Sequence, residues 1–227
     1  MGYYERNMPD ETPVNAAFMD YFGQSCVVPL LHFPEEYRGQ KEVRLACTQH
    51  AVSACQQRKI TGEWVDFLRG ENLGLETVMV STRLNQAIFD ALCCQDTITA
   101  LWIKWCAVPD LSEIVRLKNL RTLYIGLGTS ITDLTPLGEL HNLEVLRLGN
   151  TEKVTDYSSL GKLEKLKTLE IEANDKLNCV SLRMQSDSFL RKLPQLELLN
   201  LVDVRVAERS FLCEENVEHI RSVRFMK

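Results

Sequence analysis

The chain has 227 residues, 45% of them apolar and 25% charged, a composition that excludes a disordered or low-complexity polymer and suits one sizeable core. A net charge of −5 and a pI near 5.5 argue against nucleic acid as the main ligand, because phosphate recognition needs a surplus of Lys and Arg. No apolar run approaches the roughly 18 residues of a membrane span, and the opening "MGYYERNMPDETPVNAAF" lacks a basic, then apolar, secretory pattern. The sequence therefore reads as a soluble, cytoplasmic monomer with no membrane partner, its eight cysteines reduced.

Residues 1–70 carry no repeat and read as a partly helical N-terminal cap. Within them "PEEYRGQKEVRLACTQHAVSACQQRK" has helical character, with Val43, Ala46 or Cys47, His50 or Ala51, and Ala54 or Cys55 near one face. Cys47, His50 and Cys55 form C-x2-H-x4-C, which matches no zinc signature and has no evident fourth ligand, so a cysteine-bearing helix face is the reading.

From residue 71 to 227 a repeat takes over. L-x-x-L-x-L segments begin at Leu75, Ile98, Leu120, Leu143, Leu166, Leu196 and Ile220, with steps of 23, 22, 23, 23, 30 and 24 residues. Strand alternation turns the fourth and sixth positions inward: Val78 and Val80, Leu101 and Ile103, Leu123 and Ile125, Leu146 and Leu148, Leu169 and Ile171, Leu199 and Leu201, Val223 and Phe225. All are apolar. Vicinal Cys93 and Cys94 follow "AIFDAL" and read as packing at the back of the first repeat. The longest unit holds "SDSFLRKLPQL", where Ser186 or Asp187 can cap a short helix that turns Phe189, Leu190 and Leu193 inward.

A second pattern follows most strands: "VPDLSEIVRLKN" from Val108, "ITDLTPLGELHN" from Ile131 and "VTDYSSLGKLEK" from Val154. Together the two patterns resemble the leucine-rich repeat family, specifically the short bacterial type of internalin-like proteins. The match covers roughly residues 75–227 and departs from the family's asparagine position at Cys106, Gly128 and Thr151, while Asn174 keeps it. The resemblance implies an α/β solenoid, a horseshoe with about seven parallel strands on its concave face and a helical N-terminal cap. It also implies a protein-recognition scaffold rather than an enzyme.

The outward row of such a sheet is the candidate site. At the fifth position the strands carry Met79, Trp102, Tyr124, Arg147, Glu170, Asn200 and Arg224, and at the seventh Ser81, Lys104, Gly126, Gly149, Glu172, Val202 and Met226. Strands lie about 4.8 Å apart, so Met79, Trp102 and Tyr124 become lateral neighbours, with Trp105 near the rim. Clustered aromatics on a rigid surface are typical interface anchors. Met79, Trp102, Lys104, Trp105, Tyr124, Arg147, Glu170 and Glu172 are thus the expected partner-binding residues. The competing reading is that the chain's own cap folds over the aromatics.

No catalytic constellation, phosphate-binding glycine loop, metal set or cofactor motif stands out. The expected function is a non-enzymatic protein-binding module, an adaptor or antitoxin-like immunity protein whose partner is a toxin or effector. The alternatives are an effector or enzyme with its chemistry in residues 1–70, where Cys26, Cys47 and Cys55 are nominal nucleophiles and the repeats select substrate, and a self-assembling structural unit.

Overall fold

The computed structural model describes residues 28–48, 52–173 and 181–212, together with the backbone of 222–226. Among the described residues eleven strands follow in chain order: β1 (Leu30–Leu31), β2 (Glu42–Leu45), β3 (Thr77–Leu84), β4 (Ala100–Cys106), β5 (Thr122–Ile125), β6 (Val145–Gly149), β7 (Thr168–Glu172), β8 (Leu182–Ser186), β9 (Leu198–Val202), β10 (Val204–Glu208) and β11 (Ser222–Met226). Nine of them form one sheet, ordered β1-β2-β3-β4-β5-β6-β7-β9-β11, and β8 pairs with β10 in a second. All these pairings are parallel.

The inward residues behave as strand alternation requires. From Val78 and Val80 through Leu199 and Leu201, every fourth and sixth position of β3–β7 and β9 is buried in a single interior cluster. The side chains of Val223 and Phe225 lie outside the described residues. Each repeat shares this interior with its neighbours, so no unit has to bury its leucines alone.

The other wall of the interior is mostly short turns. Segments Ser112–Arg116, Thr135–Glu139, Ser158–Lys162 and Ser188–Lys192 are 3-10 helices that bring Ile114, Leu137, Leu160, Phe189 and Leu190 into the cluster. An aspartate starts three of them: Asp110 accepts from the Ser112 amide, Asp133 from Thr135 and Asp156 from Ser158, each at 2.8 Å. That is the physical content of the D-L-S, D-L-T and D-Y-S steps. In the long unit Ser186 takes the aspartate's place and accepts from Ser188 at 3.2 Å.

Before the repeats the structure departs from the expected helix over this region. Residues 42–45 form β2, because Val43 and Leu45 are buried while Glu42 and Arg44 alternate away from the interior. The two-residue period outweighs the helical spacing read from the longer window. The helix starts later, as α1 (Ala54–Arg69), with Ser53 and Gln56 forming a reciprocal cap. It buries Ile60, Trp64 and Leu68, spaced four apart, and the Trp64 indole donates to the His32 carbonyl at 3.2 Å. The second helix, α2 (Gln86–Leu92), is capped by Asn85 and contains the "AIFDAL" run. The sheet thus begins at β1, ahead of residue 71, and α1 and α2 pack on its inward side.

Candidate functional site

Register, rather than loop geometry, assembles the site. Arg44, Met79, Trp102, Tyr124, Arg147, Glu170 and Asn200 are successive partners across β2 to β9, one residue per strand. They lie on the side of the sheet opposite the leucine interior.

The side chains of the row touch in sequence. The Trp102 and Tyr124 rings are 5.8 Å apart between centroids and tilted by 45°. The Arg147 guanidinium carbon stands 5.1 Å from the Tyr124 centroid, a cation–π geometry. Nη2 of Arg147 reaches both carboxylate oxygens of Glu172 at 2.8 Å and the Glu170 Oε1 at 3.3 Å. Gly126 and Gly149 at the seventh position form a low floor beside this chain of contacts. A Cβ at Gly126 would stand only 2.8 Å from the Tyr124 hydroxyl oxygen, so the missing side chain lets the phenol lie down along its strand.

The row is buried. Relative exposures are 4% for Met79, 7% for Trp102, 4% for Tyr124, 6% for Arg147, 3% for Glu170 and 7% for Asn200. Lys104 and Trp105 are exposed, Trp105 by 40%, and Glu172 is half-buried. Of the eight expected contact residues, the sheet therefore brings together all but Trp105 in or beside the row, and it leaves the Lys104–Trp105 step open at the strand end. Arg83, paired with Trp105 past an irregularity in β3, holds its guanidinium carbon 5.6 Å from the Trp105 ring.

Burial sets the electrostatics. It pushes the Glu170 carboxyl up to about 7 despite the opposing pull of Arg147, and the neighbouring Glu172 adds to the rise. Burial also works against the charge on Arg147, but Glu172 and Glu170 outweigh it and hold the guanidinium above its usual value. One cation thus serves two carboxylates in a poorly hydrated place.

The cysteines of the described residues sit apart from this row. Cys47, Cys93 and Cys106 are buried, and burial raises all three thiols, Cys47 to about 12 and Cys106 to about 11. Thiols held so high are poor nucleophiles. Cys55 is exposed on α1 while Cys47 belongs to the interior, and His50, Cys26, Cys179 and Cys213 lie outside the described residues. Among the described residues no group of three or more His, Cys, Asp or Glu side chains could hold a metal ion.

Arg44 and Arg83 are the members of this surface that sequence reading missed. The Glu42–Leu45 alternation would have found Arg44; Arg83 depends on the strand irregularity, which has no sequence signal.

Fold and row together define a leucine-rich repeat solenoid. The leucine-rich repeat model, in two copies, matches residues 118–162. Internalin C2 of Listeria monocytogenes is similar in structure, with 21% identity, a TM-score of 0.54, and coverage of 72% of this chain and 75% of its own. Internalin InlF of the same species shares 18% identity over 81% of this chain and 61% of its own, with a TM-score of 0.46. No curated protein sequence matches the chain. The chain carries leucine-rich repeats arranged in the internalin-like fold.

Proposed function

We propose that this chain is a non-enzymatic protein-binding module that takes a partner protein on the concave side of its sheet. The observation that carries the reading is the exposed Lys104–Trp105 step, an indole open to solvent at the margin of a buried aromatic row. An aromatic on a rigid strand is ordered before binding, so its contact area costs little side-chain entropy, and Trp and Arg dominate the residues that carry interface energy. Arg83 against Trp105 supplies the second of those residue types.

The acidic balance of the chain suits a partner with a basic or neutral face. The biological setting we favour is a cytoplasmic bacterial adaptor or antitoxin-like immunity protein, monomeric, which occludes the working surface of a toxin or effector. Affinity capture with mass spectrometry tests the reading, comparing wild type with Trp105→Ala and Lys104→Glu. Loss of one captured protein in both variants, at an unchanged melting temperature, is the expected result; identical captured sets from all three chains would remove the strand-end step from any interface.

A further inference from the structure

At the ends where the strands begin, away from Trp105, the residues just ahead of β2–β7 stand side by side as a rim: Lys41, Glu76, Thr99, Arg121, Glu144 and Lys167. Each amide after the first donates to the carbonyl before it at 2.8 Å, from Glu76 onto Lys41 through to Lys167 onto Glu144. Charge alternates along this rim except at Thr99. Lys41 pairs with Glu76 at 2.6 Å, and Glu144 takes Lys167 at 2.6 Å and Arg121 at 3.6 Å. Between these two blocks the short Thr99 leaves a cleft of about 490 Å³, flanked by Glu76 and Arg121 and lined also by Thr97 and Asn119.

Hydrogen bonds already made sort the cleft's polar groups. Thr97 and Thr99 spend their hydroxyl protons on the Leu75 and Glu76 carbonyls at 2.7 and 3.1 Å, and the Asn119 side chain donates to the Asp96 carbonyl at 3.0 Å. What these three offer a ligand is acceptor oxygen, and Glu76 adds the carboxylate oxygen beyond the Oε1 that holds Lys41. Arg121 supplies the donors. Its side chain is 67% exposed, and its one ion pair among the described residues is the long contact from Nη1 to Glu144. That leaves most of a planar fork of N–H groups for a carboxylate. The backbone adds little, because the Glu76 and Thr99 carbonyls each accept two amides already, so a ligand is held by side-chain ends rather than by strand addition.

We propose that this cleft takes an extended segment of a partner protein with a basic and an acidic side chain two residues apart, the basic one on Glu76 and the acidic one on Arg121. That order carries the alternation of charge across Thr99. An anion alone would meet the Glu76 carboxylate and the acceptor oxygens of the floor, and a cation alone would meet Arg121. Spacing agrees: Glu76 and Arg121 stand two strand spacings apart, about 10 Å, while residues i and i+2 of an extended chain share a face about 7 Å apart. Exposed ion pairs are weak singly, so the cleft selects and orients a segment rather than supplying most of the affinity. The inference rests on the protein-binding reading and adds to it a site about 20 Å along β4 from Trp105.

Titration of the isotope-labelled full chain with the capped peptide acetyl-Gly-Lys-Gly-Asp-Gly-amide, followed by amide NMR shifts, tests it. Saturable shifts at Thr99, Asn119 and Arg121 in the millimolar range are expected. Capped peptides with Lys at both charged positions, or Asp at both, should bind about fivefold more weakly or worse. Thr99→Lys, which fills the gap and pairs with Glu76, should abolish the shifts, and Arg121→Gln should weaken them about fivefold. Equal binding of either like-charged peptide overturns the proposal, and so does the absence of saturable shifts at the three residues. Free glycine binding as tightly as the peptide overturns it too, by assigning the cleft to a small zwitterion. Peptide binding that fails while capture still depends on Trp105 removes this cleft alone; peptide binding that holds while capture ignores Trp105 removes the strand-end step alone.

Discussion

The Arg147 guanidinium lies 5.1 Å from the centroid of the Tyr124 ring, so this buried cation is held between an aromatic face and two carboxylates. Removing it leaves Glu170 and Glu172 close together and poorly hydrated. Truncating one side of a buried ion pair costs more than the pair is worth, because the remaining charge stays desolvated. Arg147→Met, which keeps the stem, is expected to lower unfolding stability by about 3–5 kcal/mol in urea titration. Adding Glu170→Gln and Glu172→Gln should recover much of that loss. A triple variant no more stable than Arg147→Met would show that packing on Tyr124, not charge, is what Arg147 contributes.

Glu170 titrates in an unusual range, and the sign of its effect is fixed by that. Its carboxyl is raised from 4.5 to about 7 in the folded chain, so the folded state holds the proton more tightly than the unfolded one. Ionised Glu170 therefore destabilises the fold above pH 7, and the penalty fades as pH falls towards 4.5. Glu170→Gln should be more stable than wild type by roughly 1–3 kcal/mol at pH 8. The difference should shrink steadily between pH 7 and pH 5. Chemical denaturation of both chains across that range checks it, and a constant difference would contradict the assignment.

Repeat spacing makes the interior legible in the sequence, since Leu101, Ile103 and their equivalents recur at a fixed register and each must face the shared core. The same register placed Trp102 and Tyr124 outside that core. What it could not express was whether the outward face is open, because periodicity fixes only the side to which each residue turns. The strand at 42–45 was obscured for a different reason: four residues are too short for alternation to stand out against a longer helix-like spacing. Arg83 beside Trp105 needed the irregularity in β3, a matter of backbone geometry.

Glycines at equivalent positions of adjacent repeats are not equivalent in tolerance. A Cβ on Gly126 would come within 2.6 Å of the Lys104 carbonyl oxygen and 2.8 Å of the Tyr124 hydroxyl, and the first of these is backbone that cannot swing aside. On Gly149 the nearest atom would be the Ile125 carbonyl oxygen at 3.5 Å, an ordinary contact. Gly126→Ala is expected to cost about 1–3 kcal/mol and to shift the fluorescence of Trp102 through its Tyr124 neighbour. Gly149→Ala should fall within about 1 kcal/mol of wild type, since lost chain entropy is partly relieved. Equal losses in thermal unfolding of the two variants would mean that the phenol does not rest over Gly126.

Asp187 stands where the repeat elsewhere places Leu111, Leu134 and Tyr157, a fully buried site. Its carboxylate accepts from the amides of Ser210 at 2.7 Å, Phe211 at 3.0 Å and Leu212 at 3.1 Å, and from the Ser210 hydroxyl at 3.0 Å. Burial would raise the carboxyl, but these donors outweigh it and hold the group below its ordinary value. Restoring the repeat with Asp187→Leu fills the same space yet leaves three amides without their acceptor, that of Phe211 buried and those of Ser210 and Leu212 partly so, an unpaired buried donor costing about 1–3 kcal/mol. The repeat-like residue should therefore destabilise the chain, by about 3 kcal/mol or more, where Asp187→Asn loses less because one oxygen remains. A depressed carboxylate lends stability above pH 3.8 that is lost as pH falls through its lower folded value, so the Asn variant should lack part of wild type's acid limb. Denaturation of the three chains at pH 7 and at pH 3 decides the matter. An Asp187→Leu chain as stable as wild type would show that the segment after β10 is held by Phe211 packing in the interior rather than by this carboxylate.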